Sequence, residues 1–481
     1  MEFLVIEETV GYGACLKTHS YNLWYLELIP LTHHIALLDT LQSCLRSPSR
    51  GPSQALRLGF TLLVVCGLCT CSGDAHEYEL VSERSLRVVL PERRAIEPLW
   101  IGTAGDGNVV VVAGQVESAK LAWAAKIDAH TGRAIWTFEL GRDGITATPA
   151  MVATGASPNI MSVVPLPDEG AYLCGNIPPP TLQDRARMFL VRLDSEGRPK
   201  TREFINPAEN VPSAGYAAVR ACLPWGSRIA VIGTYMTTEK VAGAQLPRVS
   251  NYYWIRSLDQ SGNTVFDKSY EALNPAFIPD PAGLVAVPWQ SGVLVSATDN
   301  VDTELMYVSD QGELRASTRF AGQQLYLVRH SVGLGNDNIQ AFGRDGTTPY
   351  APKTLLTLDE HLRVIARRGA TTEWTFAGPF IFGMPDQALV GFGCRVQHGL
   401  SLQRSAAMLL DGDLKARKSL FFEDADVFDS GTVTAAGSLS AQGEYVVGRM
   451  AGSAPNPNAN PSVLPVGLIV NFVHARQLPH E

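Results

Sequence analysis

Carboxylates are densest at Glu423-Asp424-Ala425-Asp426, with Asp429 close behind. Clustered oxygen ligands suit a hard cation such as calcium. This segment has neither EF-hand spacing nor a glycine pivot. It therefore reads as a solvated acidic loop: no metal is expected, and Glu423, Asp424 and Asp426 are candidate partner contacts. Tyr235, Tyr252 and Tyr350, with Tyr253 beside them, could offer flat faces to a sugar or a peptide. The histidines, among them His130, His330 and His398, are scattered. No GxSxG elbow, HExxH, P-loop or GxGxxG occurs, so no catalytic residue is assigned and no cofactor is expected. A carboxylate pair assembled from distant segments stays open at this stage.

A second chemical pattern recurs along the chain. It is in most copies an apolar residue and an aspartate ahead of a glycine: Ile127-Asp128…Gly132, Leu193-Asp194…Gly197, Leu258-Asp259…Gly262, Ser309-Asp310…Gly312, Leu358-Asp359 and Leu410-Asp411-Gly412; Asp359 has no glycine near, and Asp310 and Asp411 have shortened turns. The aspartates lie 66, 65, 51, 49 and 52 residues apart. Such a period signals a repeat architecture. Aspartate accepts a hydrogen bond from the backbone two residues on, and glycine takes the positive-φ position, so the pair closes a hairpin. Asp128, Gly132, Asp194, Gly197, Asp259 and Gly262 are thus assigned to turns rather than to ligand binding.

Each repeat also carries a short apolar run that ends at a small residue. The seven runs are Val109–Gly114, Ala171–Gly175, Ile229–Gly233, Val293–Ala297, Ile339–Gly343, Ala388–Gly393 and Tyr445–Gly448. Runs of this length bounded by turn residues are buried strands. With a strand before each and two after it, the pattern predicts an all-β fold: a seven-bladed β-propeller with four antiparallel strands per blade. The seventh unit lacks its aspartate pair. Ser85–Leu90 precedes the first unit and is expected to pair with the last, closing the ring. Trp225 and Trp289 each follow a proline in equivalent places and read as structural.

Long connections fall on one side: Asn176–Ala186, Tyr235–Ser250 and Arg449–Leu464 between second and third strands, and Gly141–Pro158, Asn206–Tyr216, Glu271–Ala282 and Glu423–Gly431 between blades. Long loops in compact domains tend to be functional, so the binding face is expected there. The net charge of -8 and the lack of a basic stripe argue against nucleic acid.

Arg57 precedes an apolar core, Leu58–Cys69, of the size of a secretory signal. It ends in Leu68-Cys69-Thr70-Cys71, which resembles a bacterial lipobox, with Cys71 as the lipidated residue. Ser72 after that cysteine leans the resemblance towards the outer membrane. The expected organisation is an upstream leader over 1–55, with translation starting near Pro52–Leu58. A lipoprotein signal over 56–71, a tether over 72–84, the propeller over 85–475 and a tail over 476–481 follow. Cys174, Cys222 and Cys394 remain in the folded part. Export permits disulfides and an odd number leaves one thiol free. Cys174 and Cys222 can pair, but their spacing lends no support, and buried single cysteines are expected.

Lys126-Ile127-Asp128-Ala129-His130-Thr131-Gly132-Arg133-Ala134-Ile135-Trp136 resembles a repeat of the quinoprotein-type propellers. Those repeats run apolar-Asp-x-x-Thr-Gly-basic-x-x-Trp, and their tryptophan packs between blades. The full pattern occurs once; elsewhere only the aspartate and glycine are kept. The resemblance implies the propeller and not the quinone, because the adjacent cysteine pair of the family's dehydrogenases is not in this chain. A lipidated member of the same superfamily serves as a scaffold in outer-membrane barrel assembly. The function expected is therefore a lipid-anchored, non-enzymatic binding or assembly scaffold. Its partners would be the membrane through the anchor and an envelope protein or glycan. The alternative is a periplasmic propeller enzyme, a quinone-dependent dehydrogenase or a glycan-cleaving enzyme.

Overall fold

The computed structural model describes residues 78–88, 96–104, 109–116, 121–140, 158–177, 187–205, 214–239, 248–274, 283–299, 301–330, 338–346, 353–370, 374–375, 380–384, 388–396, 403–411, 414, 416–422, 433–439, 443–451 and 467–478. They form a seven-bladed β-propeller. A first strand, β1 (Tyr78–Val88), precedes sheet 1. Sheet 1 is β2 (Ile96–Ala104), β3 (Val109–Val116), β4 (Leu121–Asp128) and β5 (Ala134–Glu139). Sheet 2 is β6 (Asn159–Pro165), β7 (Ala171–Ile177), β8 (Arg187–Leu193) and β9 (Pro199–Ile205). Sheet 3 is β10 (Ala214–Trp225), β11 (Arg228–Glu239), β12 (Arg248–Leu258) and β13 (Thr264–Glu271). Sheet 4 is β14 (Val285–Trp289), β15 (Gly292–Thr298), β16 (Thr303–Val308) and β17 (Leu314–Phe320).

Sheet 5 starts with β18 (Gln323–Leu327). The chain then makes an excursion that includes β19 (Arg329–His330). It returns as β20 (Ile339–Asp345), β21 (Lys353–Leu358) and β22 (Val364–Ala370). Sheet 6 departs from the four-strand plan. Its inner position is split between β23 (Trp374–Thr375) and β24 (Ile381–Gly383), and β19 joins β24 in parallel. Its other strands are β25 (Leu389–Val396), β26 (Gln403–Leu410) and β27 (Ala416–Phe421). Sheet 7 is β28 (Val433–Ser438), β29 (Glu444–Ala451) and β30 (Gly467–Gln477).

β1 supplies the fourth strand of sheet 7. It pairs antiparallel with β30 from Tyr78 opposite Gln477 to Val88 opposite Leu468. Pairing begins at Tyr78, so part of the segment expected to be a tether is strand. Val88, Leu468 and Val470 share an apolar cluster with Ile101, Trp123 and Ile127 of sheet 1.

The strand types follow from burial. In β7, β15 and β16 every residue is buried, as a strand covered on both faces requires. The outermost strands β9, β13 and β17 are mostly exposed. They carry Lys200, Arg202, Lys268, Arg315 and Arg319, and such charge keeps a free edge from pairing with another chain. Strand ends run further than the sequence implied. β11 extends to Glu239 and β12 begins at Arg248, so Tyr235 lies in a strand and not in the long loop expected over 235–250, while Tyr252 lies in a strand as expected. The aromatic and β-branched residues of these ends favour the pleated state.

The recurrent turns have the expected mechanics. Asp128 Oδ1 accepts from the amides of His130 and Thr131 at 2.9 and 2.7 Å. Asp194 Oδ1 accepts from Glu196 and Arg198 at 3.0 and 2.9 Å. Asp259 Oδ1 accepts from Ser261 and Asn263, both at 2.8 Å. Gly132, Gly197 and Gly262 have φ of 69, 78 and 93°. In the fourth unit the residue in this role is Ser309, not Asp310: its Oγ accepts from Glu313 N at 3.1 Å. Serine replaces aspartate there because one side-chain acceptor is all the turn needs. In the fifth and sixth units leucines take the positive-φ place, Leu362 at 61° and Leu414 at 62°.

These turns also fill the seams between sheets. A Cβ added to Gly197 would lie 2.6 Å from Trp136 Cγ of sheet 1, and one added to Gly312 would lie 2.8 Å from Phe266 Cδ2 of sheet 3. Trp136 and Phe266 are both the third residue of their outer strand. In β17 that place is Ala316, and the turn of the next sheet presents Leu362, which packs in the cluster that Ala316 borders. At these three seams a large outer-strand side chain meets a glycine and a small one meets a leucine; at the seam of sheets 2 and 3, Gly262 lies against the Tyr172 hydroxyl instead.

The three cysteines separate. Cys174 on β7 and Cys222 on β10 form a disulfide between sheets 2 and 3, with Cα atoms 6.4 Å apart. This corrects the expectation of buried single thiols. Spacing in sequence could not show it, because the pairing arises from two strands of neighbouring sheets. Closing a loop of 48 residues is worth about 4 kcal/mol in the chain-entropy account. Beside it the Asn176 amide bridges the same sheets, donating to Val219 O at 2.9 Å and accepting from Val219 N at 2.7 Å.

Two outcomes test this packing. A chain that begins at residue 96 lacks β1 and leaves β30 with an open edge; it should be insoluble or melt well below the full chain. An unchanged melting temperature would remove β1 from the account. Trp136→Ala should cost about 3–5 kcal/mol, and Gly197→Leu should also destabilise. The double variant should recover part of the loss, with a coupling on the order of 1–3 kcal/mol in denaturant titrations; strict additivity would refute the complementarity.

Candidate functional site

In each sheet the second strand hands over to the third at the end from which the chain also leaves for the next sheet. This is the face of the long connections. β7, β11 and β29 end on it and β8, β12 and β30 begin on it; the intervening segments 178–186, 240–247 and 452–466 lie outside the described residues. The turns at Asp128, Asp194 and Asp259 sit at the other end. β18 ends and β20 begins on that hairpin side.

Tyr235 and Tyr252 are brought together. They are direct partners across β11 and β12, and their rings stack at 4.9 Å with 10° between planes. Tyr235 is buried and belongs to the cluster joining sheets 2 and 3, so its ring is packed rather than presented. Burial raises its hydroxyl pKa. Tyr252 is half-buried. Tyr350, Glu423, Asp424, Asp426 and the lipidation candidate Cys71 lie outside the described residues. Trp225 and Trp289, read as structural, are buried, and Trp225 Nε1 donates to Ser291 O of sheet 4 at 3.1 Å.

One group that sequence reasoning missed is Glu304, at the start of β16 near the face of the long connections. It is 3 % exposed. Its Oε2 accepts from the Tyr253 hydroxyl of sheet 3 at 3.0 Å and from Leu273 N at 3.1 Å. Its Oε1 accepts from Asn274 N at 2.8 Å. The carboxyl therefore pins the connection between sheets 3 and 4. Burial raises its pKa above the usual carboxylate range, while the bonds from Asn274, Tyr253 and Leu273 oppose the shift. Burial and the adjacent Glu304 raise the Tyr253 hydroxyl well above its ordinary value. Nothing in the local sequence marks Glu304, since its partners come from the neighbouring sheet.

Three exposed apolar side chains lie at this end of sheets 3 and 4. Leu273, two residues after β13, is 49 % exposed, and Val301, in the turn between β15 and β16, is 50 % exposed. Val249, at the start of β12, is also exposed. Next to them, Asp302 accepts from Gly322 N at 2.8 Å and pairs with Arg319, fastening sheet 4 to the entry of sheet 5. Both interactions, the Gly322 amide first, hold its pKa down.

A cation could meet three ligand atoms at Glu83, Glu444 and His474, which lie within 4.8 Å of one another. This group is on the hairpin side, and Glu83 is already taken by Arg476 at 3.0 Å. A resident guanidinium disfavours a second positive charge there.

No protein-family model and no curated protein matches the chain. Solved structures similar to it are β-propeller proteins. The WD40 repeats of RRP9 are 9% identical over 83% of this chain and 100% of that one, with a TM-score of 0.43. A member of the DUF4221 family from Bacteroides vulgatus is 12% identical over 84% of this chain and 100% of that one, TM-score 0.40. The dihydro-heme d1 dehydrogenase NirN is 12% identical over 69% and 68%, TM-score 0.36. Likenesses at these scores carry no functional weight.

Glu304 gives a pH test with a definite sign. A raised folded-state pKa means the native state holds the extra proton, so this contribution is complete below the unfolded value of 4.5 and is lost as pH rises through the folded pKa. The stability of the wild type relative to Glu304→Gln should therefore fall as pH rises from 4.5 towards neutrality. A difference that stays flat or grows would contradict the burial-driven shift.

Proposed function

We propose that this chain is a lipid-anchored propeller of the bacterial cell envelope, held at the outer membrane and facing the periplasm, and that it acts as a non-enzymatic binding or assembly scaffold. The face of the long connections would meet an envelope protein or a glycan. The observation that carries this reading is the exposed apolar set Leu273, Val301 and Val249 beside the Glu304 anchor. Large apolar side chains held in the open by a rigid frame suit a protein partner.

Two further observations support the location. The disulfide between Cys174 and Cys222 suits a compartment outside the cytosol. The segment ending at Cys71 resembles a lipoprotein signal. The quinoprotein-like repeat at Lys126–Trp136 is consistent with the scaffold analogy and brings no quinone site with it. Tyr252 and the acidic segment Glu423, Asp424 and Asp426 are the candidate polar contacts on the same face.

The second reading is an envelope enzyme on the same fold. It is favoured by the raised pKa of the buried Glu304, since perturbed carboxyls concentrate at catalytic sites. Against it, both Glu304 oxygens already accept hydrogen bonds within the frame. Crosslinking in intact membranes separates the two. The wild type should enrich an envelope protein or glycan, and a Leu273→Asp, Val301→Asp double variant should lose it while keeping its melting temperature. Enrichment of no partner, together with a light-absorbing cofactor that co-purifies, would overturn the scaffold in favour of the enzyme.

A further inference from the structure

Arg344 is the penultimate residue of β20 and Lys353 opens β21, and the register sets them directly opposite each other. Two residues along, Phe342 faces Leu355 in the same way. Phe342 and Leu355 pack against Ile381, Leu389 and Leu410 of sheet 6. Alternation along a strand puts Arg344 and Lys353 on that same side. They therefore stand at the junction of sheets 5 and 6, at the end that carries the long connections.

Two cations at such a place need compensation. Lys353 is 7 % exposed, and Arg344 is partly buried, its Nε enclosed without a hydrogen-bond partner. Among the described residues neither has a carboxylate partner. The strands of sheet 5 contain one acid, Asp345, and it is bound to Arg367 at 3.3 Å and Gln323 at 2.9 Å. The strands of sheet 6 contain none. Two cations set opposite each other stand out in a chain of net charge -8. At Glu304 and Asp302 the fold satisfies buried charge at a seam. Burial and the neighbouring Arg344 lower the Lys353 pKa to about 8, and burial also lowers that of Arg344. An unpaired buried charge is costly to maintain.

We propose that Arg344 and Lys353 form a phosphate-binding site at the junction of sheets 5 and 6, on the face of the long connections. Two adjacent cations match a doubly charged phosphate, whereas a carboxylate would leave one of them uncompensated. The guanidinium Nε–H and the ammonium both donate, and charge-assisted bonds to phosphate oxygens are the strong ones. The enclosure selects a small group, free phosphate or the terminal phosphate of a monoester. The inference is independent of the scaffold reading, and either can fail without the other.

The test uses the full chain, with inorganic phosphate as the probe at constant ionic strength. Phosphate should raise the melting temperature and show saturable binding by calorimetry, and acetate should do neither. Lys353→Met should melt at or above the wild type without phosphate. It should bind phosphate at least about tenfold more weakly, as loss of a charged hydrogen bond implies. Arg344→Gln should weaken binding in the same direction, and line broadening in the phosphorus NMR signal reads this even if one variant folds poorly. A saturable response to glycerol phosphate, alongside the free ion, assigns the monoester source and supports the site. No phosphate response in the wild type, an equal response in both variants, or an equal response to acetate would overturn it.

Discussion

The seam between neighbouring sheets is the constraint on which the rest of this protein depends. β7, β15 and β16 are buried on both faces, and a sheet with such strands cannot bury its apolar residues alone. The seam is solved in two ways. Trp136 and Phe266 reach out from the outer strand of one sheet and meet Gly197 and Gly312 in the turn of the next. Where the outer strand offers only Ala316, the following turn supplies Leu362, buried at a positive φ. A leucine in that conformation is strained by roughly 1–2 kcal/mol. Full burial of its side chain contributes about 1.5–3 kcal/mol, so the strained leucine is tolerated where volume is lacking.

Polar groups at the seams obey a second rule: they are shared. Asn176 bonds both amide and carbonyl of Val219 across the junction of sheets 2 and 3, next to the disulfide. Glu304 collects three donors from sheet 3 and its outgoing connection. Asp302 joins Arg319 to the amide that opens sheet 5. Asn176 ties strand to strand, while Glu304 and Asp302 tie Leu273, Asn274 and Gly322, which lie just outside strands, to the strands of sheet 4. A binding surface built on fixed elements loses less entropy on association than one built on mobile loops.

The sequence made the architecture legible because turn chemistry is local. Asp128, Asp194 and Asp259 with their glycines announce hairpins within five residues, and their recurrence counts the blades. The reading slipped where one physical role has two chemical solutions. Ser309 does the work of aspartate, and Leu362 and Leu414 occupy the glycine place. The site was much less legible. Tyr235 looked available because its neighbours read as loop, yet it is a strand residue stacked on Tyr252. Glu304, Lys353 and the Cys174–Cys222 bond gain their meaning from side chains tens of residues away. No periodicity reports such a meeting.

The junction of sheets 5 and 6 breaks the rule that the other seams keep. Its apolar half is ordinary, with Phe342 and Leu355 against Leu389 and Leu410. Its polar half places like charges opposite each other and offers no acid within either sheet beyond the committed Asp345. A frame selected only for stability would hold a hydrophobe at Lys353, as it does at Leu355 on the same side of β21. Local conflict with an otherwise consistent design is the mark expected of a site kept for binding. The same sheets also carry the fold's main irregularity, the parallel β19 and the split inner strand of sheet 6. Charge conflict and strand irregularity thus coincide in one sector, while the apolar exposed set sits on sheets 3 and 4. The face of the long connections accordingly carries exposed apolar side chains on sheets 3 and 4 and two opposed cations, Arg344 and Lys353, on sheet 5.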